Sequence, residues 1–200
     1  MNARSTPSRR PSREERDAIR RAQIVEAARE CALRQGFHAT PMSEVARVAG
    51  MSVGQIYRYF PSKDAIVLAI VNDIVERRIA RMASHPDSPA TPERLSSRAV
   101  EWDARHREDA ILMFEISAEA TRNPEIAQMV RQADQRSQLE ARRKMMRRFP
   151  DLTEAQAAAR CEAIAVLIEG TVARRMTQLQ APREEMLALY EKVIAAINGA

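Results

Sequence analysis

Residues 52–66 of this chain read SVGQIYRYFPSKDAI. Within that stretch Gln55, Tyr57, Arg58, Tyr59 and Lys63 place an amide, two phenols, a guanidinium and an ammonium close together. All five can donate hydrogen bonds, two carry fixed positive charge, and Gln alone donates and accepts through one planar group. Such a set suits anionic oxygens and flat polar edges. It does not suit bond-breaking chemistry, because no nucleophile stands beside a base. The rest of the chain adds none. Cys31 and Cys161 match no metal-ligand spacing, and the three histidines lie scattered at 38, 85 and 106. No glycine-rich phosphate loop occurs, so neither an enzyme active site nor a cofactor nor a metal site is expected. The two cysteines read as reduced, buried thiols of a cytoplasmic protein.

These donors need elements to hold them. Composition favours helix: glycine is scarce, with 5 in 200 residues, while Ala, Glu, Arg, Met and Leu are plentiful. No strand pattern appears, and the expected fold is all-α with about nine helices. Residues 1–16 are Arg, Ser and Pro with almost nothing apolar, and are expected to form a disordered basic arm. A first helix is expected from Asp17, with Ile24, Ala27, Ala28 and Cys31 on its inner face and Gly36 ending it. A second, short one spans 41–49, with Thr40 as N-cap and Pro41 at its first position. Gly50, Met51 and Ser52 turn the chain into a third helix over 53–60, capped by Ser52. Pro61 stops it, because the residue before a proline is pushed towards extended geometry. Ser62 then caps a fourth helix reaching about Ala83. The segment SHPDSPATP, 84–92, reads as a linker. Beyond it, helices are expected from Asn123-Pro124 and from Thr153, whose spacing to Gln156 is that of a capping box, with a last one over 183–197.

Charge agrees with a division of labour. Residues 1–60 hold eleven Arg against six Asp/Glu, a net +5, whereas residues 61–200 hold twenty-one of each sign, a net of zero. The whole excess lies where a polyanion would be met. No apolar run is long enough to span a membrane, and the N-terminus lacks the apolar core of a secretory signal. Two short helices joined by a glycine turn inside a basic segment suggest a helix-turn-helix, whose second helix enters a DNA major groove.

The residues themselves carry a resemblance. GFHATPMSEVARVAGMSVGQIYRYFPSKDAI, 36–66, resembles the DNA-binding domain of TetR/AcrR-family transcriptional regulators through Gly36, Phe37, Thr40, Ala46, Ala49, Gly50, Ser52, Gly54, Tyr57, Phe60, Ser62 and Lys63. The resemblance implies a helix-turn-helix DNA-binding domain over 17–77, with its motif at about 40–59, and a helical ligand-binding and dimerisation domain over 78–200. It marks Ser52, Val53, Gly54 and Gln55 as the reading end of the third helix. Gln can pair with adenine N6 and N7, and Val53 can meet a thymine methyl. Thr40, Tyr57, Arg58, Tyr59 and Lys63 become candidate phosphate contacts. Pro41, Val53, Gln55 and Tyr59 depart from the residues usual there, so an operator preference cannot be borrowed from other members.

For the C-terminal part the resemblance implies a small hydrophobic effector and a homodimer on a near-palindromic operator. Candidate pocket residues are Trp102, Met113, Phe114, Ser117, Met129 and Met176. Candidate dimer-interface residues are Ile164, Ile168, Thr171, Val172, Met186, Tyr190, Val193 and Ile197, which stripe the last two helices. The expected function is a ligand-responsive repressor. The alternative is a DNA-binding relative with no small-molecule inducer, acting as an activator or an architectural or cell-division factor.

Overall fold

The computed structural model describes residues 12–83, 104–176 and 181–199, with the side chains at 175 and 176 excepted. Eight helices and no strand occur among the described residues: α1 (Arg13–Ala39), α2 (Met42–Ala49), α3 (Val53–Tyr59), α4 (Lys63–Ala83), α5 (Ala104–Ala120), α6 (Pro124–Arg148), α7 (Glu154–Met176) and α8 (Arg183–Asn198). The chain divides into two compact units, with the division between Ile70 and Val71 inside α4. The 84–92 linker and Trp102 lie outside the described residues.

In the first unit α1 begins at Arg13, earlier than the expected Asp17. A capping box starts it. The Ser12 hydroxyl accepts from the Glu15 N–H at 3.1 Å, and the Glu15 carboxylate accepts from the Ser12 N–H at 2.5 Å. That satisfies two amide donors the helix itself leaves orphaned. Arg13 and Arg16 are therefore helical, not part of a loose arm. Gly36, at φ 78° and ψ 159°, breaks the helix near its end. This backbone region is open to glycine alone. Ile24, Ala27, Ala28, Cys31, Val45, Ala46, Ala49, Ile56 and Phe60 close the core between α1, α2 and α3. Two polar ties reinforce it. Gln23 Nε2 donates to the Ala49 carbonyl at the end of α2, 2.7 Å away, and the Arg21 guanidinium lies 5.1 Å above the Phe60 ring.

The second unit is held by a core of Met145, Ala157, Cys161, Ile164 and Ile194, with Phe149, Leu152, Leu167, Ile168 and Ile197 packed against it. The expected caps are in place. The Asn123 carboxamide oxygen accepts from the N–H groups of Glu125 and Ile126, and Thr153 and Gln156 form a reciprocal capping box. The C-terminal half of α4 is tied to its neighbours by charge. Arg77 donates to Asp73 on its own helix and to the buried Asp109 of α5, 2.8 Å away. From α6, Arg136 donates to Glu76 and to Asn72 at 3.1 Å, and the Lys144 ammonium donates to the Met82 carbonyl at 2.9 Å. No helix among the described residues is long and apolar enough to cross a membrane.

Candidate nucleic-acid interface

Helix α2 ends at Gly50, whose left-handed backbone (φ 63°, ψ 36°) lets its N–H reach the carbonyls of Ala46 and Arg47. A residue with a Cβ is strained at that φ. Met51 N–H also bonds the Ala46 carbonyl, at 2.9 Å, and the chain reaches Ser52 in extended geometry. Ser52 and Gln55 then form a second capping box. The Ser52 hydroxyl accepts from the Gln55 N–H at 3.2 Å, and Gln55 Oε1 accepts from the Ser52 N–H at 2.8 Å. Phe60, before Pro61, is extended at φ −135° and ψ 113°, so α3 stops after Tyr59. Ser62 caps α4 through the Ala65 N–H at 3.1 Å.

This framework sorts the sequence-derived candidates into two groups. Ser52, Gly54, Gln55, Tyr57 and Arg58 are exposed and Val53 is half-buried, so α3 turns one polar face outward while Ile56 and Phe60 anchor the other. Tyr57 is 47% exposed, which removes it from the core. A methyl group built on Gly54 would meet nothing within 4 Å. Inside the protein, nothing requires a glycine there.

The second group is turned to internal duties. Thr40 is not the N-cap of α2. Pro41 occupies that position with no side-chain bond, and the Thr40 hydroxyl donates to the Gly36 carbonyl at 2.7 Å. Thr40 is 3% exposed, so its expected contact with phosphate is withdrawn. The Tyr59 hydroxyl donates to Asp17 of α1 at 3.4 Å, tying the end of α3 to the first helix. Lys63 Nζ donates to the His38 carbonyl at 3.3 Å, across the corner after α1.

Around the motif the charges are organised. Glu44 of α2 accepts from Arg47 and from Arg34 of α1, and the Arg47 hydrogen bond holds its carboxyl below the usual carboxylate range. Arg29 is fully buried and ion-paired to Glu26 at 3.7 Å. Sequence reading missed it, since an arginine on a mostly polar helix carries no signal of burial. Among the described residues no cluster of His, Cys, Asp and Glu is arranged to hold a metal.

The geometry of α3 is that of a helix-turn-helix. Its second helix is braced from behind and presents donors on a face with no other use. Comparison with known proteins identifies its kind. Residues 24–70 match the family model of bacterial regulatory proteins, tetR family. The HTH-type transcriptional regulator UidR of Escherichia coli (strain K12) is 31% identical over 111 residues, 56% of this chain and 57% of that protein. The matched region thus spans little more than half the length of that curated relative. Two solved structures share the fold over most of both chains. A transcriptional regulator from Saccharomonospora viridis in complex with choline has a TM-score of 0.72 at 21% identity, covering 88% of this chain and 96% of that one. FadR from Bacillus subtilis in complex with stearoyl-CoA has a TM-score of 0.67 at 21% identity, covering 88% and 96%. Over residues 24–70 the chain is thus similar to bacterial regulatory proteins of the tetR family, and over most of its length it shares the fold of these two solved structures.

The C-terminal candidates are redistributed. Ile164, Thr171, Val172 and Tyr190 are buried within the chain, and Ile168, Met186 and Ile197 pack against its internal clusters. Thr171 donates to the Leu167 carbonyl at 2.7 Å, which leaves its oxygen to accept from the Tyr190 hydroxyl. These residues join α7 to α8 inside one subunit, so the stripe expected to face a partner is core. Of the eight, only Val193 is exposed. The outward face of α7 instead carries Ala159, Ala163, Val166, Gly170 and Ala173, and that of α8 carries Leu189, Val193 and Ala196. Among the pocket candidates, Phe114 and Ser117 are exposed on α5, whereas Met113 and Met129 are half-buried. Trp102 and the Met176 side chain lie outside the described residues.

Proposed function

We propose that this chain is a homodimeric, DNA-binding transcriptional repressor whose affinity for a near-palindromic operator is set by a small hydrophobic effector. One observation carries the DNA reading: the exposed face of α3, where Gly54 serves no internal contact and Gln55, Tyr57 and Arg58 stand beside it. A helix-borne glycine costs stability. Here the return is close approach of the backbone to a duplex. Tyr57 and Arg58 then grip phosphate while the first turn of α3 faces the base edges.

Dimerisation is assigned to the outward faces of α7 and α8. Among their exposed residues, Ala159, Ala163, Val166, Gly170 and Ala173 on α7 and Leu189, Val193 and Ala196 on α8 recur at alternating spacings of three and four, and two such helices from each copy would form a four-helix bundle. A two-fold dimer would match two half-sites one helical turn apart. The effector is placed among the C-terminal helices, with Met113 and Met129 as adaptable lining. The related folds were solved with choline and with stearoyl-CoA, two unlike molecules. They therefore support a small-molecule site without naming its ligand. The effector acts only if it binds the DNA-competent and DNA-incompetent states unequally.

Selection of bound duplexes from a random library by the full chain, repeated with candidate effectors, tests this. A recovered two-fold symmetric sequence, released by at least one small molecule, is the expected result. Recovery of no sequence at low salt would overturn the DNA reading. Tight operator binding that no molecule in a broad panel weakens would favour a regulator with no inducer.

A further inference from the structure

The side chain expected to read adenine is already in use. Gln55 Oε1 accepts the Ser52 backbone N–H at 2.8 Å, and the Gln55 N–H is in turn held by the Ser52 hydroxyl at 3.2 Å. A backbone N–H can only donate, so the atom facing it is the amide oxygen, and the orientation of the Gln55 carboxamide is fixed by its partner. Gln55 itself is exposed. What it offers a ligand is its NH2 group.

A bidentate contact with adenine needs both ends of the carboxamide: the oxygen must accept from N6 while the NH2 donates to N7. The oxygen retains a second lone pair. But pairing with a base edge sets the plane of the amide as well as its position, and the bond to Ser52 already sets that plane. Contact through the NH2 alone makes no such demand. Guanine presents two adjacent acceptors in the major groove, N7 and O6, whereas adenine presents an acceptor beside a donor. An NH2 group meets attraction twice at guanine, and attraction beside repulsion at adenine.

We propose that Gln55 reads its base as a donor only, selecting guanine over adenine, because the capping box withholds its oxygen. Specificity at this position is then set by Ser52 as a positioning residue, whose own atoms need touch no base. The inference rests on the DNA-binding reading above. The same side chain then both closes the first turn and reads its base.

Three full-length proteins test it by selection from a random duplex library, with hydrogen exchange of the Ser52 amide measured alongside. The wild type is expected to enrich guanine over adenine about tenfold at one position per half-site, with the Ser52 amide protected. Gln55→Glu keeps an oxygen for the Ser52 N–H, since Glu serves a capping box as Gln does, but has no donor. Protection should persist, and preference should move to cytosine on the same strand, whose N4 donates. Gln55→Met should flatten that one position and expose the Ser52 amide to exchange. Adenine enriched over guanine at the position that Gln55→Met flattens would overturn the inference. So would a Gln55→Met profile identical to the wild type. Both outcomes leave DNA binding standing. A wild-type chain that selects no DNA would instead overturn the regulator reading, and this inference with it.

Discussion

Two helix faces in this chain, one in each unit, spend a glycine where the protein gains nothing from it. A Cβ at Gly54 of α3 or at Gly170 of α7 would meet nothing within 4 Å, so neither is required by its own fold. Each costs up to about 1 kcal/mol of helix stability against alanine. The neighbours differ. Gly54 stands among Gln55, Tyr57 and Arg58, in the unit that carries the surplus positive charge. Gly170 stands among Ala163, Val166 and Ala173, in the unit whose charges cancel. On the proposed reading the same backbone device would admit two different things: a polyanion beside the first face, and an apolar helix of a second copy beside the other.

The comparison breaks most visibly at the dimer face. Val166 is 59% exposed, so Val166→Arg should leave the subunit folded but yield monomers by sedimentation. Because the second half-site is then no longer bound intramolecularly, operator affinity should fall by roughly a hundredfold or more. Tyr190→Phe is the contrast. It removes an internal hydrogen bond to Thr171, lowers stability by about 1 kcal/mol, and should leave the dimer intact. A dimeric Val166→Arg beside a monomeric Tyr190→Phe would return the interface to the inner stripe.

Gly54→Ala should move two quantities in opposite directions. Thermal stability should rise, by up to about 1 kcal/mol, while affinity for DNA of every sequence falls about tenfold as the added methyl holds the backbone away. Unchanged affinity would mean that α3 does not approach DNA through its first turn. A smaller effect is expected at Arg58→Ala: a loss of severalfold, uniform over sequences, with the salt slope reduced by about 1 per subunit. A loss confined to particular bases would make Arg58 a reader.

Legibility in the sequence followed the range of the interactions. The caps at Ser52, Ser62 and Thr153, the helix start at Asn123-Pro124, the glycine turn and the stop at Pro61 are all local, and each was read correctly. The start of α1 was missed although its capping box, Ser12 with Glu15, is equally local. No apolar period begins there to draw attention to it. For the stripes on α7 and α8 the limit is of another kind. Periodicity reveals that a helix has an apolar face, but not whether the core or a partner covers it. On α7 Ile164 and Val172 are buried, whereas Ala159, Ala163, Val166, Gly170 and Ala173 are exposed. The ties on α4 were out of reach: Arg77 meets Asp109 32 residues away, and Arg136 meets Glu76 60 residues away. Asp73 interrupts the apolar face of α4, and the bond it accepts from Arg77 accounts for it.

The smallest expected effect concerns the two thiols, one in each unit. Cys31 is fully buried, with Arg34 Nη2 donating to its sulfur at 3.6 Å. Cys161 lies in the C-terminal core, and burial pushes its thiol above the ordinary value of 9.0 against a weaker opposing pull from Arg142. A thiolate is the reactive form, so burial works against redox sensing at Cys161. For Cys161 the sign of the pH dependence follows. Above about pH 9 the unfolded thiol has lost a proton that the native one keeps, so stability falls as pH rises through the native value. Below that pH the contribution is fully retained. Denaturant midpoints measured from about pH 8 to about pH 10 should decline more steeply for the wild type than for Cys161→Ala. Cys31 is common to both proteins and cancels. Parallel slopes, or rapid alkylation of Cys161 in the native state, would show that water reaches the core between α7 and α8, the layer that must stay closed if the outward face of those helices alone meets the partner.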